Sequence, residues 1–239
     1  MIFYRKLRPI QAMTFDLDDT LYDNTPYIIK AEKALSAYLH EHYPATENTD
    51  LAFWRQQKNK ALLNHPQLRH DMGRLRKLTL SNGLASLGYR GQTLNQATED
   101  CFHFFYHYRS NFKVSKTICS LLSELAQKRP LVAITNGNVN LSQIGIAQYF
   151  QICYQANIEQ PMKPHSSMFD AASQYLKLST QSILHVGDNL HRDVGGALAA
   201  GYQSAWYAHD RIMMLNKEST QLLPHVQLAN LEELKQLVL

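Results

Sequence analysis

A chain of 239 residues is long enough for one large domain or two modest ones, and its 45% hydrophobic and 18% charged content is ordinary for a globular protein. The formal charge of +4 is mildly basic, which favours anionic small molecules but falls short of a nucleic-acid binder, and no Lys/Arg run accompanies it. Three isolated cysteines, Cys101, Cys119 and Cys153, lack the spacing of a disulfide framework or a zinc site and are expected as buried thiols.

Residues 1–10 read as a short lead-in. They place charge beside apolar residues without the apolar stretch of a secretory signal, and no later segment holds ~18 uninterrupted apolar residues. A cytoplasmic protein without a membrane partner is expected. Ile10 to Phe15 reads as the first strand, and it runs into Asp16-Leu17-Asp18-Asp19-Thr20. Strand side chains alternate faces. If Phe15 and Leu17 face the core, Asp16 and Asp18 converge at the strand's carboxyl end, the edge where open α/β sheets bind ligands. Carboxylates crowded there repel unless a cation lies between them, and Mg²⁺ prefers such hard oxygen ligands. Taken alone, the same letters also read as a strand followed by an Asp-rich turn.

Thr25 and Pro26 read as the cap and first residue of a helix. From there to about Arg109 the periodicity is helical, over Pro26–His42, Asp50–Asn64, His70–Leu87 with Gly88 closing it, and Thr93–Tyr108. Beyond that segment strands and helices alternate. A helix over Thr117–Lys128 leads to a strand from Pro130 to Thr135. A helix over Leu141–Tyr149, a strand near Gln151–Ala156 and a helix over Ser166–Leu176 follow. A strand over Ile183–Gly187, a helix over Asp193–Ala200, a strand over Gln203–Tyr207 and a helical tail over Leu228–Leu239 complete the chain. Alternation of this kind implies an α/β fold with a doubly wound parallel sheet. The all-helical stretch interrupts it as an inserted domain: residues 1–21 and 110–239 form a core domain, and 22–109 a four-helix unit hinged at about 22–25 and 109–115.

Four polar groups then fall at or just beyond strand ends or in connecting loops. They are Asp16/Asp18/Thr20, Thr135-Asn136-Gly137, Lys163, and Gly187-Asp188-Asn189 with Asp193. Three carboxylates can hold a divalent cation, backbone amides and Thr135 can donate to phosphate oxygens, and Lys163 supplies a cation for a dianion. In order and spacing these motifs resemble the haloacid dehalogenase superfamily, in its Mg²⁺-dependent phosphatase branch with a C1-type helical cap, over nearly the whole chain.

The resemblance implies Asp16 as nucleophile forming an aspartyl-phosphate and Asp18 as general acid and base. It implies Mg²⁺ held by Asp16, the backbone carbonyl of Asp18, and Asp188. Thr135, Asn136 and Gly137 would orient the phosphoryl group, and Lys163 would neutralise it. Asp193 is expected to orient Lys163 or metal-bound waters, with Asn189 and Thr20 in supporting places. Duller readings stand beside these: Asp193 as the cap of the helix to Ala200, Asn189 and Thr20 as turn residues, Asp19 as structural. Aspartate two residues after the nucleophile separates phosphatases in this superfamily from dehalogenases, because a halide leaves without a proton, and also from phosphonatases. Phe15 to Asn24, Ala133 to Asn138 and His185 to Asp188 further resemble bacterial phosphatases acting on flavin mononucleotide or on the ribitylaminouracil phosphate of riboflavin synthesis. The alternatives are a broad-specificity sugar phosphate or nucleotide phosphatase and a non-catalytic phosphate-binding protein. A small-molecule phosphate is the expected partner, and nothing in the sequence specifies an oligomeric state.

Two further features of the helical insert have bland readings. His103 and His107 stand at i, i+4 but lie in an aromatic stripe, Phe102 to Tyr108, expected to be mostly core with at most one ring facing a substrate. Residues 22–109 carry eleven Lys/Arg against eight Asp/Glu, and a solvated helical surface is the simpler reading of that excess.

Overall fold

Strand Ala12–Phe15 (β2) occupies the middle of the sheet because every residue in it is buried and both its faces are covered. The structure is a computed structural model describing residues 1–238, so the last residue of the expected helical tail lies outside the described residues. Seven strands form one sheet. They are Ile2–Phe3 (β1), β2, Leu131–Thr135 (β3), Ile152–Gln155 (β4), Ile183–Gly187 (β5), Gln203–Trp206 (β6) and Val226–Gln227 (β7). Their spatial order is β1-β7-β6-β5-β2-β3-β4, and all pairings are parallel except β1 with β7. The sheet is therefore the mixed α/β arrangement expected, with an antiparallel edge that two-residue strands are too short to announce in sequence.

Alternation along the central strands feeds two cores. Met13, Phe15, Leu17, Leu131, Ala133, Leu184 and Val186 pack on one face with helix Lys116–Lys128 (α5). Ala12, Val132, Ile134 and Ile183 pack on the other with Phe169 and Ala172 of helix Ser167–Leu176 (α7).

Between β2 and α5 the chain builds four helices: Thr25–His42 (α1), Leu51–Asn64 (α2), Met72–Ser86 (α3) and Gly91–Arg109 (α4). Leu35 and Leu39 of α1, Leu80 and Leu84 of α3, and Cys101 and Phe105 of α4 make a separate hydrophobic cluster. Thr25 is the first helical residue, not the cap; Asn24 precedes it without a side-chain capping bond. Asp50 and Asp71 do cap, accepting from Phe53 N–H and Arg74 N–H. Gly88 stands at φ 102°, the left-handed conformation that closes a helix.

The helix expected over Leu141–Tyr149 stops at Ile144 (α6), because Gly145 turns at φ 84°, and only a 3₁₀ turn follows. The tail is likewise a 3₁₀ turn, Leu231–Leu237. Cys101 is buried as expected, whereas Cys119 and Cys153 are half-buried. Among the described residues no helix is long and apolar enough to cross a membrane.

Helices α2 and α3 meet through Gly83. A Cβ there would fall 2.3 Å from the Trp54 ring. Gly83→Ala is expected to lower stability by about 1–3 kcal/mol, the range for overpacking, despite the helix-propensity gain of alanine. Thermal unfolding should show a Tm several degrees lower; an unchanged Tm would mean that the ring moves aside without cost.

Candidate active site

The carboxyl ends of β2, β3 and β5 lie side by side, because Phe15 pairs with both Ala133 and Val186. Asp16, Thr135 and Asp188 consequently gather at one edge, facing a cavity of about 1170 Å³ that the helical insert lines from the opposite side with Ile28, Trp54, Arg76 and Phe105. The loop after β2 curls immediately. Leu21 N–H donates to Leu17 O at 2.9 Å, and Asp19 sits at φ 60°, a left-handed conformation that aspartate tolerates. The Asp19 carboxylate accepts Asn24 N–H at 2.8 Å, a structural use.

Lys163 is the hub. Its ammonium, 3% exposed, lies 2.7 Å from Asp16 Oδ1, 2.6 Å from Asp193 Oδ1 and 2.7 Å from the Ile134 carbonyl. Burial alone would lower the Lys163 pKa, but Asp16 and Asp193 outweigh it and hold the ammonium charged. Asp193 also faces His185 Nε2 at 3.2 Å and accepts Asn189 N–H at 3.0 Å. Burial raises its pKa, but Lys163 and His185 hold it well below the usual carboxylate range. His185 is pushed down chiefly by its own burial, and its Nδ1 meets Thr14 Oγ1 at 2.8 Å.

The helix after β5 begins with a π-type turn, Leu190–Gly195, and continues as Gly196–Ala199 (α8). Asn189 is its cap, accepting from His191 and Arg192 N–H. Asp193 therefore does not serve as that cap; its carboxylate turns back to Lys163 instead. Gly187 is required beneath it, since a Cβ there would fall 2.3 Å from the Asp193 carboxyl carbon.

Asp16, Asp188 and Asp193 offer oxygens that all lie within 4.8 Å of one another, the one such group of His, Cys, Asp or Glu among the described residues. The spaced pair His103 and His107 is not part of any such group. Burial pushes Asp16 up, the Asp193 and Asp188 charges add to this, and Lys163 opposes it. Asp188 is pushed up to about 7 by burial and by Asp193, against Arg211. Its Oδ2 meets Arg211 at 3.0 Å, and its backbone carbonyl accepts the Trp206 indole N–H at 2.6 Å.

Asp18 lines the same cavity but turns its side chain away from that cluster, to Arg109 at 2.8 and 2.9 Å and to the Tyr22 hydroxyl at 2.6 Å. Burial and the Asp18 charge push the Tyr22 phenol up, so it remains a donor. Thr20 makes a long contact with Asp16 Oδ2 at 3.4 Å. Thr135 accepts Gly137 N–H at 3.0 Å, leaving its own hydroxyl proton free to donate. The Asn136 side chain is spent elsewhere: it accepts Lys163 N–H and donates to Lys163 O, clamping the lysine's loop to β3.

Two residues in this assembly were not legible as site residues. Arg109 is the last residue of an aromatic-rich helix, and Arg211 lies in a loop after β6 that carries no motif. The insert's basic excess also departs from the surface reading in part, since Arg55, Lys58, Arg69 and Arg76 line the cavity. Of the aromatic stripe only Phe105 reaches the lining, where the Arg76 guanidinium covers its ring at 3.6 Å.

Residues 10–201 match the haloacid dehalogenase-like hydrolase family. Over its full length the chain is 35% identical to the whole of the Escherichia coli (strain K12) 5-amino-6-(5-phospho-D-ribitylamino)uracil phosphatase YigB. It is 24% identical to the glyceraldehyde 3-phosphate phosphatase of Pyrococcus abyssi, covering 84% of this chain and 83% of that one. The crystal structure of a 2-haloacid dehalogenase from Pseudomonas syringae pv. Tomato DC3000 superposes with a TM-score of 0.87 at 30% identity, covering 95% and 97% of the two chains. An alkoxide leaving group needs a proton donor and a halide does not, and Asp18 lines the cleft beside Asp16. The chain belongs to the haloacid dehalogenase-like hydrolases, and it is a phosphatase of that family.

Proposed function

We propose that the substrate is a small phosphomonoester whose phosphate sits on a ribityl chain, flavin mononucleotide or the ribitylaminouracil phosphate of riboflavin synthesis. The observation that carries the catalytic part is Asp16 held by Lys163 at the sheet edge, with Asp18 in the same cleft. The full-length likeness to YigB supports the choice of substrate. A broad-specificity sugar phosphate or nucleotide phosphatase is the second reading, favoured by a cleft of about 1170 Å³, roomy enough for many small phosphates. Residues 22–109 are read as a cap domain over a core of 1–21 and 110–239, excluding water from the cleft.

The donor set is all oxygen, which fits Mg²⁺. Asp16, the backbone carbonyl of Asp18, and Asp188 would hold it; Asp193 is committed to Lys163 and Asn189. When bound, the ion supplies positive charge that screens carboxylate–phosphate repulsion.

In this reading the Asp16 carboxylate attacks phosphorus. The bond from phosphorus to the ester oxygen breaks, and its electron pair stays on that oxygen, which takes a proton from Asp18. Asp18 then takes a proton from water as the water oxygen attacks the aspartyl-phosphate. The pair of the breaking bond returns to Asp16, and inorganic phosphate leaves. Lys163 balances the charge on Asp16 throughout, and the Thr135 hydroxyl, whose oxygen already accepts Gly137 N–H, donates to a phosphate oxygen.

Phosphate release with Mg²⁺ from a panel of flavin mononucleotide, the ribitylaminouracil phosphate, sugar phosphates and nucleoside monophosphates tests the substrate. Turnover should be highest on the two ribityl phosphates and fall by about 10³-fold or more in Asp16→Asn. Faster turnover of sugar phosphates would favour the second reading.

A second prediction concerns the ion. A carboxyl whose folded pKa is raised to about 7 binds a proton that the unfolded chain releases near its ordinary 3.8. Its contribution to stability is therefore lost as pH rises through that interval, and a cation restores it by replacing the proton. Mg²⁺ is expected to raise Tm more at pH 8 than at pH 6, where the proton competes. An equal or larger increment at pH 6 would argue against Asp188 as a ligand.

A further inference from the structure

The helical insert leaves the core near Tyr22 and returns to it at Arg109, and both side chains end on one carboxylate. A single nitrogen of Arg109, Nη2, straddles Asp18, 2.8 Å from Oδ1 and 2.9 Å from Oδ2. Tyr22 donates to Oδ1 at 2.6 Å. The guanidinium is therefore not paired through two parallel bonds in the manner of a structural fork. Its other terminal nitrogen, Nη1, is buried without a hydrogen-bond partner, in a residue only 3% exposed. Burying an arginine is unfavourable, and leaving one of its nitrogens unmet adds to the cost. A salt bridge kept for stability alone does not call for this arrangement.

The division of labour between the two oxygens of Asp18 is informative. Oδ1 accepts two donors, one from each crossing of the insert. Oδ2 accepts Nη2 alone and lies against Gly137, where a Cβ would fall 2.4 Å from it. Gly137 belongs to the turn whose amide is held by Thr135. Oδ2 thus keeps a lone pair on the side of the phosphate-orienting turn, and the absence of a side chain at 137 keeps that side open.

Arg109 also sits where the insert is seated on the core. The Gln143 amide donates to the His107 carbonyl at 2.8 Å, and Met162 N–H reaches His70 Nδ1 at 3.3 Å. Any displacement of α4 relative to the sheet carries the guanidinium with it.

We propose that Arg109 is a positioning residue for the proton donor: with Tyr22 it fixes Oδ1 of Asp18 so that Oδ2 faces the leaving oxygen, and it makes that orientation conditional on the seating of α4. The proposal rests on the phosphatase reading with Asp18 as acid and base. It places Arg109 behind the carboxylate, acting through it, with no contact to the substrate phosphate.

The test exploits the leaving group. An alkoxide requires a proton as it departs, whereas p-nitrophenolate departs without one. kcat and KM are measured with Mg²⁺ for the alkyl phosphate that the wild type hydrolyses fastest and for p-nitrophenyl phosphate, in wild type, Arg109→Met, Arg109→Lys and Tyr22→Phe. Arg109→Met is expected to lower kcat/KM, which reports expulsion of the leaving group, by ~10²-fold or more on the alkyl ester and to leave it within about threefold on the aryl ester; kcat also contains hydrolysis of the aspartyl-phosphate, with Asp18 as base, and falls on both. Arg109→Lys should recover part of the alkyl activity, and Tyr22→Phe should fall in the same direction by less. Equal losses of kcat/KM on both esters, or raised KM on both with kcat intact, would overturn the proposal in favour of a structural or substrate-binding role. Should Arg109→Met fail to fold, as judged by circular dichroism, the same comparison on Arg109→Lys and Tyr22→Phe decides between those outcomes. A wild type inactive on both esters, or an active Asp16→Asn, would instead refute the phosphatase reading itself.

Discussion

The ammonium of Lys163 is held where water does not reach, between two carboxylates and the carbonyl of Ile134 at the end of the strand β3. Asp16 comes from β2, and Asp193 from the helix after β5, so one positive charge ties together the three central strands' loops. Neither acid is tolerable in that place without it, since a buried carboxylate loses far more hydration than a neighbouring polar group returns. The Asn136 side chain then fixes the backbone of the lysine in both directions, and Gly187 makes room for Asp193. The remaining parts of the site are arranged around this ion pair.

Charge balance extends the same logic. Asp16, Asp18, Asp188 and Asp193 face Lys163, Arg109 and Arg211. Arg211 is shared further with Asp210 and Glu218, so the carboxylates outnumber the cations that meet them in a partly dry cleft. Burial and mutual repulsion express this as upward pressure on the Asp16 and Asp188 carboxyls. A cation would relieve that pressure and an anionic substrate would add to it, so a phosphate would be accommodated more readily together with a divalent cation than alone.

Much of the candidate site is legible because its members occupy strand ends, and strand ends are readable from apolar runs that stop at polar residues. Asp16, Thr135 and Asp188 follow this rule, and Lys163 stands out through the resemblance to the haloacid dehalogenase pattern. The insert was equally plain, since no alternation of strand type interrupts it between Thr25 and Arg109 and its helices pack on one another. What was not legible depends on contacts distant in sequence. Arg109 and Asp18 are 91 residues apart, and Arg211 and Asp188 are 23 apart in a loop without periodicity. The edge strands β1 and β7 span two residues each, below the length at which alternation exists. Asn136 was read as a phosphate contact from its place in a motif, but its amide is consumed by a reciprocal bond that only the tertiary structure creates. The helix after Asn140 was read too long because a glycine at φ 84° reverses the chain inside an otherwise helical pattern.

Both crossings of the insert converge on Asp18, so the two parts of the chain meet at the residue that the proposed chemistry needs. Helices α1 to α4 can lengthen, shorten or exchange their lining residues without disturbing the sheet, provided that a tyrosine at one crossing and an arginine at the other keep their reach. On the proposed reading, the side chains that select a ligand and those that cleave the bond then belong to separate modules. On that reading, a scaffold of this design would be free to diversify its clientele by replacing the helical module while Tyr22 and Arg109 keep the carboxylate of Asp18 in place.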